Sequence, residues 1–560
     1  RLTAVPLSAS SIRIDWARVD RAASYELTRS IGGSPLAPVG TFVPGRVSFY
    51  DDGLATGVTH RYVLNVFDSD GRLLATAEAT TEPKACTIAQ AIDSPTVWTR
   101  EASPYCIPTG QPSANSFPVR DGLVIEPGVV VLIAPDTGMN LNAPIAAIGA
   151  VGTAEEPIVF TVDQPDPSLA RWGVIDLQNG VPTTFNETLT ALEYAEGSRF
   201  QHVIFEYGST FQSRFSIDLD ACVFRHQRGT SNGATIFFPG INGRVSIQNS
   251  LFIQNSCMSC DGGGAAFTLD DARLQLQRNA WFFNSALDGG GAWSAEYFNS
   301  PSITASNSLF FGNRSDGNGG AIRLVRASAL GVVSATISHS RFDSNTADQN
   351  GGALYSDVDI SVESSVFENN VATLSGGAGY QERTPGTYRD CSFSSNQSTT
   401  GGALVSNDVV IVVERSRFEG NEALAEGGGF AGRGQIRAST FDGNTAPLAG
   451  GLALDAGTSE LSGCLVGNNA GGGLLIRTTS AALSAPALDR NTILGNDSFN
   501  IRNAECTLPV VFTDAFVGNP VSGIEDTCLP NPTMFEVRDP VTTPWPLCTE
   551  SIDPTCVGAP

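Results

Sequence analysis

The chain has almost no lysine. Lys84 stands alone among 33 lysines and arginines, and 57 aspartates and glutamates leave a formal net charge of −24 over 560 residues. A surface this acidic repels a phosphate backbone, which argues against nucleic-acid binding. It suits solubility, and a salty exterior. Long apolar runs are missing too. The longest, Val129 to Ala134, is bracketed by Pro127 and Pro135, far short of the roughly 18 apolar residues that a membrane-crossing helix needs. Histidine is scarce: His60, His202, His226 and His339 are scattered, and only one C-x-x-C occurs, at Cys257 and Cys260. That is not a zinc ligand set. Helical periodicity is absent as well, since no run of ten or more residues carries apolar side chains at 3.6 spacing. The chain opens at Arg1 with neither Met nor a signal peptide, which reads as a mature or truncated form.

What the chain has is a repeat. A bulky apolar residue, two residues, then Asn recurs as Phe252/Asn255, Trp281/Asn284, Phe310/Asn313, Phe342/Asn345, Phe367/Asn370, Phe393/Asn396, Phe418/Asn421 and Phe441/Asn444. It continues as Leu465/Asn468 and Ile493/Asn496. The Asn-to-Asn steps are 29, 29, 32, 25, 26, 25, 23, 24 and 28 residues. A Gly-Gly pair follows most of these Asn residues, from Gly263-Gly264 to Gly472-Gly473. Self-similarity at this period marks a stacked architecture. Segments such as Asp359-Ile360-Ser361-Val362 and Val409 to Val413 are short and β-branched, so the stacked units are strands. A coil of this length holds three short strands and their turns. The fold class that follows is all-β: a right-handed parallel β-helix.

In such a stack equivalent side chains lie about 4.8 Å apart. The Phe column should point inward, each ring contributing roughly 2 kcal/mol or more on burial. The Asn column should sit at a turn, where Asn tolerates the left-handed conformation and its amide bonds along the stack. The Gly pair should supply positive φ.

Gly319-Gly320-Ala321-Ile322, Gly351-Gly352-Ala353-Leu354 and Gly401-Gly402-Ala403-Leu404, alternating with Phe-x-x-Asn, resemble the passenger repeats of chlamydial polymorphic membrane proteins and other bacterial β-helix surface proteins. The resemblance covers about half of the chain. It implies a right-handed β-helix and a secreted or surface role. Those proteins end in an outer-membrane barrel, which this sequence does not contain.

Residues 1–82 differ in texture. Ser11 to Trp16, Ser24 to Thr28 and His60 to Val66 alternate as short strands between turns. Trp16, Tyr25, Leu54 and Tyr62 resemble the core of a fibronectin type III module, whose usual meaning is a spacer or docking unit. Residues 83–118 are proline-rich and read as a linker or cap, 119–505 as the helix, and 506–560, rich in Pro and Cys, as a C-terminal cap or stalk. Cys86/Cys106, Cys257/Cys260, Cys506/Cys528 and Cys548/Cys556 sit at disulfide spacing. Cys391 and Cys464 lie three coil steps apart, roughly 14 Å, beyond the ~7 Å reach of a disulfide. Both should be free thiols. Cys391, two before Phe393, should be buried; Cys464, one before Leu465, should be more accessible.

Chemistry is harder to find. Asp270-Asp271 and the turn acids Asp261, Asp288, Asp316 and Asp348 could supply a glycosidase carboxylate pair. They match no lyase or polygalacturonase motif. As a column they could share calcium, although turns favour Asp anyway. Trp293 aligns with Ile322, Leu354 and Leu404 and reads as core filling; Tyr297 and Phe298, in an expected loop between Glu296 and Ser302, form the better ligand ledge. The reading is a secreted bacterial surface protein, structural or adhesive, not an enzyme and without a cofactor. Its partners would be a protein or glycan ligand, or copies of itself in a fibre. The alternative is a carbohydrate-active enzyme.

Overall fold

The computed structural model describes residues 2–538 with gaps, the longer ones at 188–191, 230–234, 239–242, 258–263, 270–272, 298–301, 327–333, 478–485, 505–509, 518–523 and 527–534. Every element among the described residues is a β-strand. The chain forms two compact units, Arg1–Ser285 and Ala286–Pro560.

The first unit opens with a sandwich of seven strands. These are β1 (Leu2–Ser8), β2 (Ser11–Trp16), β3 (Ser24–Ile31), β4 (Ala37–Phe42), β5 (Ser48–Asp51), β6 (His60–Phe67) and β7 (Leu73–Thr81). One sheet is ordered β1-β2-β5 and the other β4-β3-β6-β7. Ile12, Ile14, Trp16, Tyr25, Leu27, Tyr62 and Leu64 fill the space between them. The Tyr62 hydroxyl donates to Asp51 at 2.6 Å, so a buried phenol keeps a partner.

Parallel coils follow at once. Thr87–Ile88 pairs with Tyr105–Ile107, and Thr96–Trp98 with Leu123–Ile125, both parallel. The proline-rich stretch 83–118 therefore holds the first coil and the start of the second, and the helix begins earlier than residue 119. The prolines fit because an end strand needs few ladder donors. A disulfide joins Cys86 to Cys106, with Cα atoms 5.9 Å apart. At the other end Val510–Thr513 still pairs in parallel with Phe535–Arg538, so the ladder also runs past residue 505.

The columns are regular. In the first unit Phe160, Phe205, Phe224, Phe252 and Trp281 stack face to face at 3.8 to 5.1 Å. In the second, Phe310, Phe342, Phe367, Phe393, Phe418 and Phe441 stack at 4.5 to 5.0 Å. All these rings are fully buried or nearly so. The Gly pair has two separate jobs. Gly351 lies at φ 67°, which favours glycine; a Cβ on Gly352 would stand 2.0 Å from the Gly377 carbonyl oxygen of the next coil.

Candidate binding face

The asparagine column is a buried ladder. Asn370 donates its Nδ2 to the Phe342 carbonyl at 3.0 Å and to Asn396 Oδ1 at 2.9 Å. Its Oδ1 accepts from the backbone N and the Nδ2 of Asn345. Asn255 and Asn284 repeat this in the first unit. Asn313, Asn345, Asn370, Asn396, Asn421 and Asn444 repeat it in the second. The left-handed residue is not the Asn but the one before it: Gln254, Gly312, Ser344, Asn369, Ser395, Gly420 and Gly443 all have positive φ. The turn thus swings each Asn inward, where its amide is satisfied without water.

One expected member is displaced. Asn444 passes the ladder to Asn469, not Asn468, and Asn469 passes it to Asn496. Phe441 accordingly stacks over Val466, and Asn468 takes the left-handed turn position and bonds Asp442. Leu465-x-x-Asn468 and Val466-x-x-Asn469 both satisfy the spacing; the hydrogen bonds select the second. Cys464 then lies two residues before the column, as Cys391 does. It is buried, not accessible, and free like Cys391 and Cys222. Burial pushes the Cys391 and Cys464 thiols up to about 12. Cys257 is disulfide-bonded; its expected partner Cys260, with Cys506, Cys528, Cys548 and Cys556, lies outside the described residues.

The position two before the aromatic is a second ladder that the sequence reading passed over. Its members are Cys222, Ser250, Asn279, Ser308, Ser340, Ser365, Cys391, Ser416, Ser439, Cys464 and Asn491. Ser340 N donates to Ser365 Oγ, Cys391 N to Ser416 Oγ, and Cys464 N to Asn491 Oδ1. A small polar residue at a fixed offset from Phe was the signal available in the sequence.

Only part of the expected acids and ledge falls on described residues. Asp316 and Asp348 both pair with Arg314. Asp261, Asp270, Asp271, Phe298 and the Tyr297 side chain lie outside the described residues. Trp293 is 1% exposed and pairs in register with Ile322, in the core. Among the described residues no group of three or more His, Cys, Asp or Glu is placed to hold a metal ion.

A groove does open on the outer face of the second unit. The outward column after the Gly turns reads Tyr355, Tyr380, Val405, Ala431, Ala453 and Leu475 in register. Tyr355 and Tyr380 stack at 5.6 Å and 7°. The strand Leu404–Glu414 loses register with its neighbour between Val405 and Val410, so Ser406 to Val409 bulge outward. The Ser406 hydroxyl fixes the bulge, donating to the Arg433 carbonyl at 2.8 Å and accepting its N–H at 2.7 Å. Bulges re-aim side chains; here Asn407 and Asp408 become a wall. Ser375 and Thr400 line the same cavity, of about 220 Å³. Arg477 closes one end, donating to Asp455 at 2.8 Å and pairing with Glu426. Burial, with Glu382 and Asp408 adding, pushes the Tyr380 phenol up to about 12. A larger notch of about 430 Å³ beside exposed Leu424 and Pro447 is mostly apolar.

The densest titratable cluster lies elsewhere, where the sandwich rests on the first coils. Every residue of β2 is buried, although its sequence alternates. Arg13 donates to Asp15 at 2.8 Å and to the carbonyls of Val162 and Gln164 at 2.8 and 2.7 Å. Tyr207 donates to Asp15, Arg225 pairs with Glu206, and His226 stacks on Tyr207 and reaches the Trp16 carbonyl. Burial pushes the Asp15 carboxyl up to about 6. Burial, with Arg225 beside it, pulls His226 down to about 4. Burial alone would raise Glu206, but Arg225 and Arg13 hold it below the usual range. Two arginines balance two carboxylates, which is how buried charge is tolerated. The cluster fastens the sandwich to the coils, and its paired charged side chains are 0 to 2% exposed.

The sequence profile of the Chlamydia polymorphic membrane protein repeat matches residues 307–324 and 339–357. No curated protein matches. A fibronectin type III-like protein from Clostridium thermocellum is similar at 29% identity, over 14% of this chain and 84% of that one, with a TM-score of 0.13. A family 28 exopolygalacturonase from Yersinia enterocolitica is similar at 12% identity over 97% of both chains, TM-score 0.19. A pectate lyase from Erwinia chrysanthemi in complex with tetragalacturonic acid is similar at 11%, over 68% and 84%, TM-score 0.17. None of these structural likenesses bears on what this chain does.

Proposed function

We propose that this chain is a bacterial cell-surface protein whose β-helix is a structural and adhesive scaffold, holding a binding face away from the cell, and that it is not an enzyme. The observation that carries the reading is the polymorphic membrane protein repeat on coils 307–324 and 339–357. That repeat and the parallel β-helix fit a surface protein. The Cys86–Cys106 disulfide suits an oxidising, exported setting. Of the acids lining the groove, Asp455 is paired with Arg477, an arrangement that supports holding rather than proton transfer at that carboxylate. The sandwich serves as a fibronectin-like spacer at the foot of the helix.

The test is to label intact cells with antibody to the sandwich, shave them with protease, and assay adhesion of the purified chain to host surfaces. Labelling that protease removes, together with adhesion, is expected. Intracellular retention would overturn the surface assignment. Release of unsaturated or reducing sugar ends from polysaccharides would overturn the non-enzymatic one.

A further inference from the structure

We propose that the groove at Tyr380 and the Ser406–Val409 bulge is a binding site for a neutral pyranose unit of a glycan. This rests on the reading of the helix as a scaffold that presents a binding face, and it names the ligand class.

The groove lies where the repeat breaks. The coils here stack in strict register, and the strand Leu404–Glu414 departs from it by a bulge that Ser406 pins on both sides. The bulge places Asp408 at φ 57°, exposed, at the lip of the cavity.

The lining is chemically mixed in a particular way. Tyr380 is half-buried and Tyr355 covers one face of its ring, which fixes its orientation. The Tyr355 phenol is in turn held by Glu382. Val405 and Ala431 give an apolar floor, while Ser375, Thr400, Asn407 and Asp408 bring hydroxyls, an amide and a carboxylate. A ligand that satisfies this set needs an apolar ring face and a rim of hydroxyls that both donate and accept. A pyranose has both, its C–H face packing against the aromatic as apolar surface.

Charge selects among sugars. Arg477 is the cation at the cavity, and Asp455 and Glu426 already neutralise it. Asp408 also lines the cavity, and the whole chain carries −24. Among the described lining residues the one cation is thus already neutralised, so a uronate or sulfated sugar would meet repulsion there. The volume, about 220 Å³, is below the roughly 300 Å³ at which drug-sized pockets begin. One sugar unit is held and the rest of the chain stays in solvent.

The experiment uses the full chain on an array of neutral and uronate oligosaccharides, with titration calorimetry on any neutral ligand found. Binding confined to neutral glycans is expected. Tyr380→Ala should weaken it at least tenfold, and Tyr380→Phe should retain most of it. Asp408→Ala, at an exposed position, should weaken it severalfold while the chain keeps a cooperative melt; it reports even if Tyr380→Ala folds poorly. No neutral glycan bound, equal binding of uronates, or full binding by Asp408→Ala would overturn the proposal. A chain that is displayed and adhesive but ignores neutral glycans would sink this inference alone. A sugar-binding chain that never reaches the surface would sink the earlier reading alone.

Discussion

At the residue scale the columns act one storey at a time. Phe367 is fully buried and stacks on Phe342 and Phe393 at 4.7 and 5.0 Å. Phe367→Ala should cost about 3 to 5 kcal/mol by emptying that storey. A melting temperature unchanged within error would place the ring outside the core. Gln227 offers the converse test. It holds the Asn position after Phe224, yet its side-chain amide has no hydrogen-bond partner although it is buried. Its amide sits one methylene beyond the depth at which Asn255 meets Asn284. Gln227→Asn should bring it level with Asn255 Oδ1 and raise stability by about 1 kcal/mol, read as a higher melting temperature. The thiols give a chemical check. Cys391 and Cys464 share one position and are raised to about 12. Mass spectrometry after alkylation at pH 8 should find both unmodified in the native chain and both modified after denaturation. Labelling of Cys464 alone would restore the register in which it faces outward.

At the element scale, β2 is the informative strand. Its polar side carries Arg13 and Asp15 into the coils, and removing one charge strands the others. Arg13→Ala should cost about 3 to 5 kcal/mol and release the sandwich to limited proteolysis. The pH dependence has two opposing parts. His226 is at about 4 folded against 6.5 unfolded. The folded state therefore binds fewer protons, and stability falls as pH drops through that window, by roughly 3 kcal/mol in full. Asp15 is at about 6 folded against 3.8 unfolded, so it works the other way, and stability rises as pH drops from 6 toward 3.8. His226→Asn removes the first part only. Relative to the parent, its melting temperature should climb as pH is lowered from 6.5 to 4. Parallel pH profiles for the two proteins would show that His226 is not buried neutral.

At the scale of the whole molecule, the period is the unit of construction. Each coil bonds only its neighbours, so stability is a sum over coils and contacts between them. Deleting Val371–Asn396 removes one step of 26 residues and joins Asn370 to Gln397 with every column in phase. The shortened chain should keep its β-type circular dichroism and a cooperative melt. Deleting only Val371–Arg383 puts the Phe, Asn and Gly columns out of register and should abolish that melt. Equal tolerance of both deletions would mean that the columns are not what holds the coils in line.

The sequence by itself determined the period and the inward columns. Stacking places like residues on like, and each Phe, Asn and Gly-Gly must recur wherever the same contact is made. It also carried the Ser/Cys/Asn ladder, legible as an offset from each Phe. Other features needed the tertiary structure because their partners are remote in the chain. The spacing allowed two registers at Leu465-Val466, and only the bond from Asn444 chose Asn469. Prolines between 83 and 118 masked the first coil, whose strands pair with 105–107 and 123–125. The alternation of β2 does not tell what lies against its polar face; Val162, Gln164 and Tyr207 cover it. The groove exists because one strand slips against its neighbour, which brings Tyr380, Asn407, Asp455 and Arg477 to one place. Local pattern fixes which face a side chain takes; a site made by three coils and a bulge is fixed only when those coils meet.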